Sequence, residues 1–160
     1  MNNNINKKFL FISLIFISLV LVSAYVIEYK LGHKPCDLCI YERIPYFVSI
    51  LLIIETIFFK KNEKTTLLLL ALVFFISACL AFYHFGIEQG FFKESLVCQN
   101  QDIAESLTKE QLLEELKNSN VSCKEVNFRI FGFSLATINT IFSLILSVIF
   151  LKLFLKYGKN

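Results

Sequence analysis

The chain has 160 residues, 56% of them hydrophobic and only 18% charged, whereas a soluble domain carries about a quarter charged residues. With a mean hydropathy of +0.62, this composition argues against an ordinary soluble globule and for a membrane protein. The net charge of +3 is spread along the chain and offers none of the concentrated basic surface that nucleic-acid binding requires.

Four apolar segments follow in chain order, at about 9–27, 40–59 (with Ile44 as a second possible start), 65–85 and 131–155. Roughly 20 helical residues span the hydrocarbon core, so the first and third fit directly and the fourth fits with tilt. The second spans only if Tyr41, Glu42 and Arg43 lie near the headgroups. The first could also be a signal peptide, with Lys7-Lys8 as its basic end and Val22-Ser23-Ala24 as a small-residue cleavage site. Its apolar run is long for that role, and cleavage would leave an odd number of spans. The expected fold is an all-α membrane protein, a four-transmembrane-helix bundle forming one domain over residues 1–160.

Lysine density orients the bundle. Lys7 and Lys8, the three lysines of 60–64, and Lys152, Lys156 and Lys159 fall on one side, which is expected to be cytoplasmic together with both termini. Loops 28–39 and 86–130 then lie outside. The long periplasmic loop contains DIAESLTKEQLLEELKNSN, which reads as a short amphipathic helix. Thr108 can cap it, Gln111 can reciprocate, and Leu112, Leu113 and Leu116 share a side.

Four of the five cysteines, Cys36, Cys39, Cys98 and Cys123, fall on the outer side, where an oxidising compartment favours disulfides. Cys79 lies in the third segment, where a small apolar residue packed in the bundle is expected. The Cys-x-x-Cys of KPCDLCIYERIPYF closes too small a loop to be a useful staple, and such motifs exchange readily. Cys98 and Cys123 make a better staple, closing about 25 residues. Structural zinc usually takes two close-spaced pairs, so no metal is assigned. Covalent haem would need a histidine where Ile40 stands, and nothing resembles the βαβ unit of a thioredoxin fold.

Arg43 follows Cys39 by four residues, which in a helix puts it on the same face, one turn deeper, whereas a regular helix starting at Pro45 would leave it in a non-helical entry turn. On the shared face its charge would stabilise a thiolate at Cys39 and an anionic acceptor beside it. His84 ends the third segment at the same outer interface and is the second candidate ligand.

PCDLCIYERIPY, then YHFGIEQGFF before Cys98, then Cys123 and FRIFGFSLATIN together resemble the DsbB family of inner-membrane thiol oxidases over roughly residues 20–150. The resemblance implies a protein-dithiol:quinone oxidoreductase. A reduced DsbA-like thioredoxin-fold partner would meet a Cys98–Cys123 disulfide, with Cys98 forming the mixed disulfide. Cys123 would exchange with the Cys36–Cys39 pair, and Cys39 would pass electrons to a quinone (ubiquinone or menaquinone) beside Arg43 and His84. Two other functions use such residues. A vitamin K epoxide reductase-type enzyme has its quinone-facing Cys-x-x-Cys late in the chain, whereas here it comes first. A metal-binding or metal-transport membrane protein would use the cysteines as soft ligands and would keep its thiols free.

Overall fold

The computed structural model describes residues 7–59, 63–93, 122–124, 128–130 and 132–157. Four long helices carry the architecture. Helix α1 is Lys7–Tyr29, α3 is Ile44–Phe59, α4 is Glu63–Glu88, and α5 is Leu135–Tyr157. A five-residue helix α2, Asp37–Tyr41, precedes α3. A two-residue antiparallel ladder, β1 (Arg129–Ile130) and β2 (Phe133–Ser134), pairs Arg129 with Ser134 and Ile130 with Phe133.

Three of the long helices, α1, α4 and α5, are long and apolar enough to cross a membrane. Helix α3, with 16 residues, spans only about 24 Å at 1.5 Å per residue. The described helices are apolar on their outer faces as well as inside. Phe11, Leu51, Phe75 and Ile145 are all exposed, which is the pattern of a helix meeting lipid rather than water.

The interior is built where the four helices meet. Ile17, Ile53, Leu70, Phe74 and Phe150 are fully buried in one cluster. The Phe74 and Phe150 rings stack at 5.8 Å, and Tyr46 meets Phe74 edge-on at 5.7 Å. Helix α4 packs most extensively on α5, and the small residues Ala71, Ala78, Ser77, Ser143 and Ser147 are buried between or along them. Small side chains let helix backbones approach closely in a bilayer. Across this seam Ser147 donates to the Ala71 carbonyl (2.9 Å), and the Ser77 and Ser143 hydroxyls meet at 3.1 Å.

Helix starts are set locally in two places. Of the two starts the sequence allowed for the second segment, Ile40 and Ile44, α3 takes the later, because the chain turns at Glu42 and Arg43 first. Pro45, in the first turn of α3, suits a helix start. The fourth helix starts at Leu135 rather than 131, because the Ser134 hydroxyl accepts the Thr137 N–H at 3.2 Å and caps it. Helix α4 ends in a Schellman arrangement: Phe91 N–H bonds the Gly86 carbonyl at 2.8 Å and Gly90 N–H bonds that of Ile87 at 3.0 Å. Gly90 makes this stop possible with φ +77°. Cys79 is exposed on the outer surface of α4 instead of packed in the bundle. The expected amphipathic helix, with Thr108, Gln111, Leu112, Leu113 and Leu116, lies outside the described residues.

Candidate functional site

Local chemistry builds the dithiol turn. Cys36 N-caps α2, its sulfur accepting the Cys39 N–H at 3.3 Å, and the two Sγ atoms are 2.7 Å apart. Cys36 is buried and Cys39 half-buried. The turn after α2 then delivers Glu42 inward, 7% exposed. The last turns of α4 bring His84 and Glu88 to the same place.

His84 stands between a carboxylate and a thiol. Its Nδ1 lies 2.7 Å from Glu42 Oε1, and its Nε2 lies 3.5 Å from Cys36 Sγ and 3.8 Å from Glu88 Oε1. Glu42 Oε2 accepts from Asn139 Nδ2 at 2.6 Å. Asn139 Oδ1 accepts from the Tyr46 hydroxyl and, at 3.2 Å, from Ser143. One hydrogen-bonded line therefore runs from Cys36 through His84, Glu42 and Asn139 to Ser143 and Ser77.

The two thiols are made unequal. The hydrogen bond from Cys39 holds the Cys36 pKa below the usual thiol value, with His84 adding to this and burial opposing it. The same bond to Cys36 pushes Cys39 up, reinforced by its burial and by the negative charge of Cys36 and Glu42. Cys36 is the favoured thiolate, not Cys39 as expected from the sequence.

Arg43 accounts for part of that difference. The turn at residues 42–43 breaks the helical spacing that would have put it over Cys39. Its Nη1 pairs with Glu28 Oε2 of α1 at 2.5 Å, and its guanidinium lies 4.8 Å from the centroid of the Tyr25 ring. It still lines, with Cys36, Cys39, Glu42, His84 and Glu88, a cavity of about 380 Å³ whose other walls include Leu21, Ile27, Ile138 and Phe142.

The second cysteine pair is described only in part. Cys123 is disulfide-bonded and fully buried, sharing a small apolar cluster with Cys36, Leu38 and Ile87. Cys98 lies outside the described residues.

Sequence reasoning assigned no role to Glu42, Glu88, Asn139 or Glu28. Glu42 and Glu88 carried a signal, since ionisable residues within or beside apolar spans are usually functional. Glu88 also follows His84 by four residues, the spacing of helix neighbours. Asn139 gave only the weaker hint of an amide inside an apolar run.

The model of the family described as Disulfide bond formation protein DsbB matches residues 6–153. An uncharacterized protein of Rickettsia prowazekii (strain Madrid E) is 31% identical over 156 residues, covering 96% of this chain and 90% of that protein.

Proposed function

Because this chain belongs to the DsbB family of disulfide bond formation proteins, we propose that it is a membrane thiol:quinone oxidoreductase that reoxidises a DsbA-like dithiol oxidase. The observation that carries this reading is the Cys36–Cys39 pair at the wall of a cavity that also holds a guanidinium, an imidazole and a carboxylate. Family membership establishes an oxidoreductase role in disulfide bond formation. The choice of partner and acceptor is our inference. Relays of this type, from DsbA through DsbB to quinone, are the established means by which a bacterial periplasm is kept oxidising.

The cavity suits a quinone. Its volume of about 380 Å³ is within the range of small-molecule sites, its apolar side chains can cover a ring, and Arg43 and Asn139 offer donors for carbonyl oxygens. Bound there, a quinone supplies a sink for two electrons and two protons.

The chain's own residues do the rest. A partner thiolate would open the Cys98–Cys123 disulfide at Cys98, leaving Cys123 reduced. Cys123 shares a buried cluster with Cys36, which supports exchange at Cys36 and release of Cys39 as the sulfur carrying the electron pair. The partner's second thiol would then displace Cys98, and Cys98 would re-form its bond to Cys123 and free Cys36. The Cys36–Cys39 bond would close again as two electrons and two protons pass to the quinone. His84 Nε2, 3.5 Å from Cys36 Sγ, can take the thiol proton, and Glu42 can stabilise the resulting imidazolium. Arg43, held by Glu28, keeps positive charge at the cavity wall.

The same reading puts α3 across the bilayer as a fourth span, with α2 and the Glu42–Arg43 turn at the interface. Both termini and the lysine-rich 60–64 loop are then cytoplasmic, in the bacterial inner membrane. The decisive experiment is quinone reduction by detergent-purified protein with a reduced thioredoxin-fold donor, each of Cys36, Cys39, Cys98 and Cys123 being replaced by serine in turn. Every replacement is expected to abolish turnover. Activity that survives loss of Cys36 or Cys39 would refute the proposal.

A further inference from the structure

Cysteine spacing alone argues against a metal, because the second pair, Cys98 and Cys123, is 25 residues apart rather than close-spaced. The fold changes the donor set by adding groups from α4. The Cys36 and Cys39 sulfurs and a His84 ring nitrogen all lie within 4.8 Å of one another. Glu42 holds His84 through Nδ1 at 2.7 Å, which leaves Nε2 facing the sulfurs. A carboxylate bonded to the far nitrogen is the usual support of a metal-ligating imidazole.

The distances fit a tetrahedral ion. Zinc bonds of about 2.3 Å to sulfur and about 2.05 Å to nitrogen put those two donors about 3.6 Å apart, and Cys36 Sγ to His84 Nε2 is 3.5 Å. Two zinc-bound sulfurs sit about 3.8 Å apart, so Cys39 must swing out by about 1 Å from its present 2.7 Å. A fourth donor is at hand. The Glu88 side chain is 6% exposed and its Oε1 is 3.8 Å from His84 Nε2; the Ser134 hydroxyl supports the carboxylate, while the buried Oε2 has no hydrogen-bond partner among the described residues. A dication would also supply positive charge to a site holding two sulfurs and two carboxylates, where Arg43 is turned to Glu28.

We propose that reduction of the Cys36–Cys39 pair creates a site for Zn²⁺ or a similarly soft divalent cation, with Cys36, Cys39 and His84 as ligands and Glu88 at the fourth position. Binding displaces whatever protons the ligand atoms still hold. The disulfide, formed when an acceptor such as a quinone takes two electrons from the metal-free thiols, offers neither sulfur as a ligand, so the site exists only in the reduced state. Occupancy blocks dithiol turnover, a consequence that rests on the redox reading above, whereas the site itself does not.

The test uses full-length, fully reduced protein in detergent, with no quinone and no donor. Zn²⁺ uptake is measured against a chromophoric chelator, and Cd²⁺ reports thiolate ligation by its ultraviolet absorption. Reduced protein should take up one more equivalent of Zn²⁺ than reduced Cys36→Ser, and Cys98→Ser should retain that equivalent. Oxidised wild-type protein, which needs no substitution to fold, should lack it. Glu88→Gln should weaken binding roughly tenfold or more while keeping the Cd²⁺ band. Equal uptake by reduced wild type and reduced Cys36→Ser, or uptake lost in Cys98→Ser, would overturn the inference. Zinc uptake by a protein that reduces no quinone leaves this site standing and removes only the redox reading.

Discussion

The dithiol end of the bundle and the body of its helices both bury polar side chains, but they satisfy them differently. Along the helices the partners are mostly local or backbone. Ser49 donates to the Pro45 carbonyl, Thr56 to that of Leu52 and Thr140 to that of Ala136, each four residues back, at 2.7–2.8 Å. Around the dithiol, Glu42 bonds His84 and Asn139, and His84 reaches Cys36, across 42, 97 and 48 residues of sequence. A hydroxyl bonded to its own helix is satisfied before the bundle assembles. A buried carboxylate and imidazole are satisfied only afterwards. The site is therefore a property of the assembled fold, and the largest effects should come from breaking it.

Glu42→Ala is expected to be the most damaging change. It leaves buried His84 and half-buried Asn139 without their shared acceptor, which costs about 3–5 kcal/mol when one partner of a buried pair is removed, and it frees the imidazole to rotate away from Cys36. Both thermal stability in detergent and quinone reduction should fall. Phe74→Ala comes next and separates the two regions. In lipid the transfer-from-water term drops out and the packing term remains, so roughly 3 kcal/mol is expected, at the low end of Phe→Ala losses. Stability should drop while Cys36 keeps its reactivity. A protein equally inactive after either change would show that site and body are not separable.

The thiol pair offers a pH test. In reduced protein Cys36 should be alkylated at pH values below the ordinary thiol range, and Cys39 only above it, as mass spectrometry of labelled peptides can show. The stability effect follows the same sign. A depressed thiol contributes stability that is present above the unfolded pKa of about 8.5 and is lost as pH falls through its folded value. The raised Cys39 contributes stability that is present below about 8.5 and is lost as pH rises further. Equal alkylation of the two cysteines at every pH would contradict the asymmetry.

Membrane character and the paired cysteines were legible in the sequence because they depend on composition and short spacing. Hydropathy located the segments that become α1, α4 and α5, and His84 was singled out by its place beside an expected interface. The position of Arg43 was legible only in part. Pro45 as a helix start allowed a turn at Arg43, but neither that nor helical spacing can foresee a partner 15 residues earlier, Glu28. Glu42, Asn139 and Glu88 escaped for a related reason, since each acquires its role from another helix. The β1–β2 ladder was hidden because Phe131, Gly132 and Phe133 read as more of the apolar run that becomes α5.

Arg43→Ala should have a smaller effect, because the residue is tied to α1 rather than to a sulfur. Loss of one charged donor at the cavity wall, about 1.5 kcal/mol, corresponds to quinone reduction slowed by roughly tenfold, with disulfides still formed. Unchanged kinetics would remove Arg43 from the acceptor site and leave it as a brace for α1.

The smallest effect belongs to Thr140→Ala, one residue from Asn139 but bonded only to its own helix among the described partners. Its hydroxyl takes a second-place share of a carbonyl that already serves the helix, and alanine is the better helix former. Removing it should shift stability by no more than about 0.5 kcal/mol and leave quinone reduction within twofold of wild type. Asn139→Ala, by contrast, strips Glu42 of its amide donor and Tyr46 of its acceptor. If two adjacent residues of one helix differ this much, proximity to the site is not what counts. Membership of the hydrogen-bonded line from Cys36 is. Equal losses from both would mean instead that α5 acts through its backbone position alone.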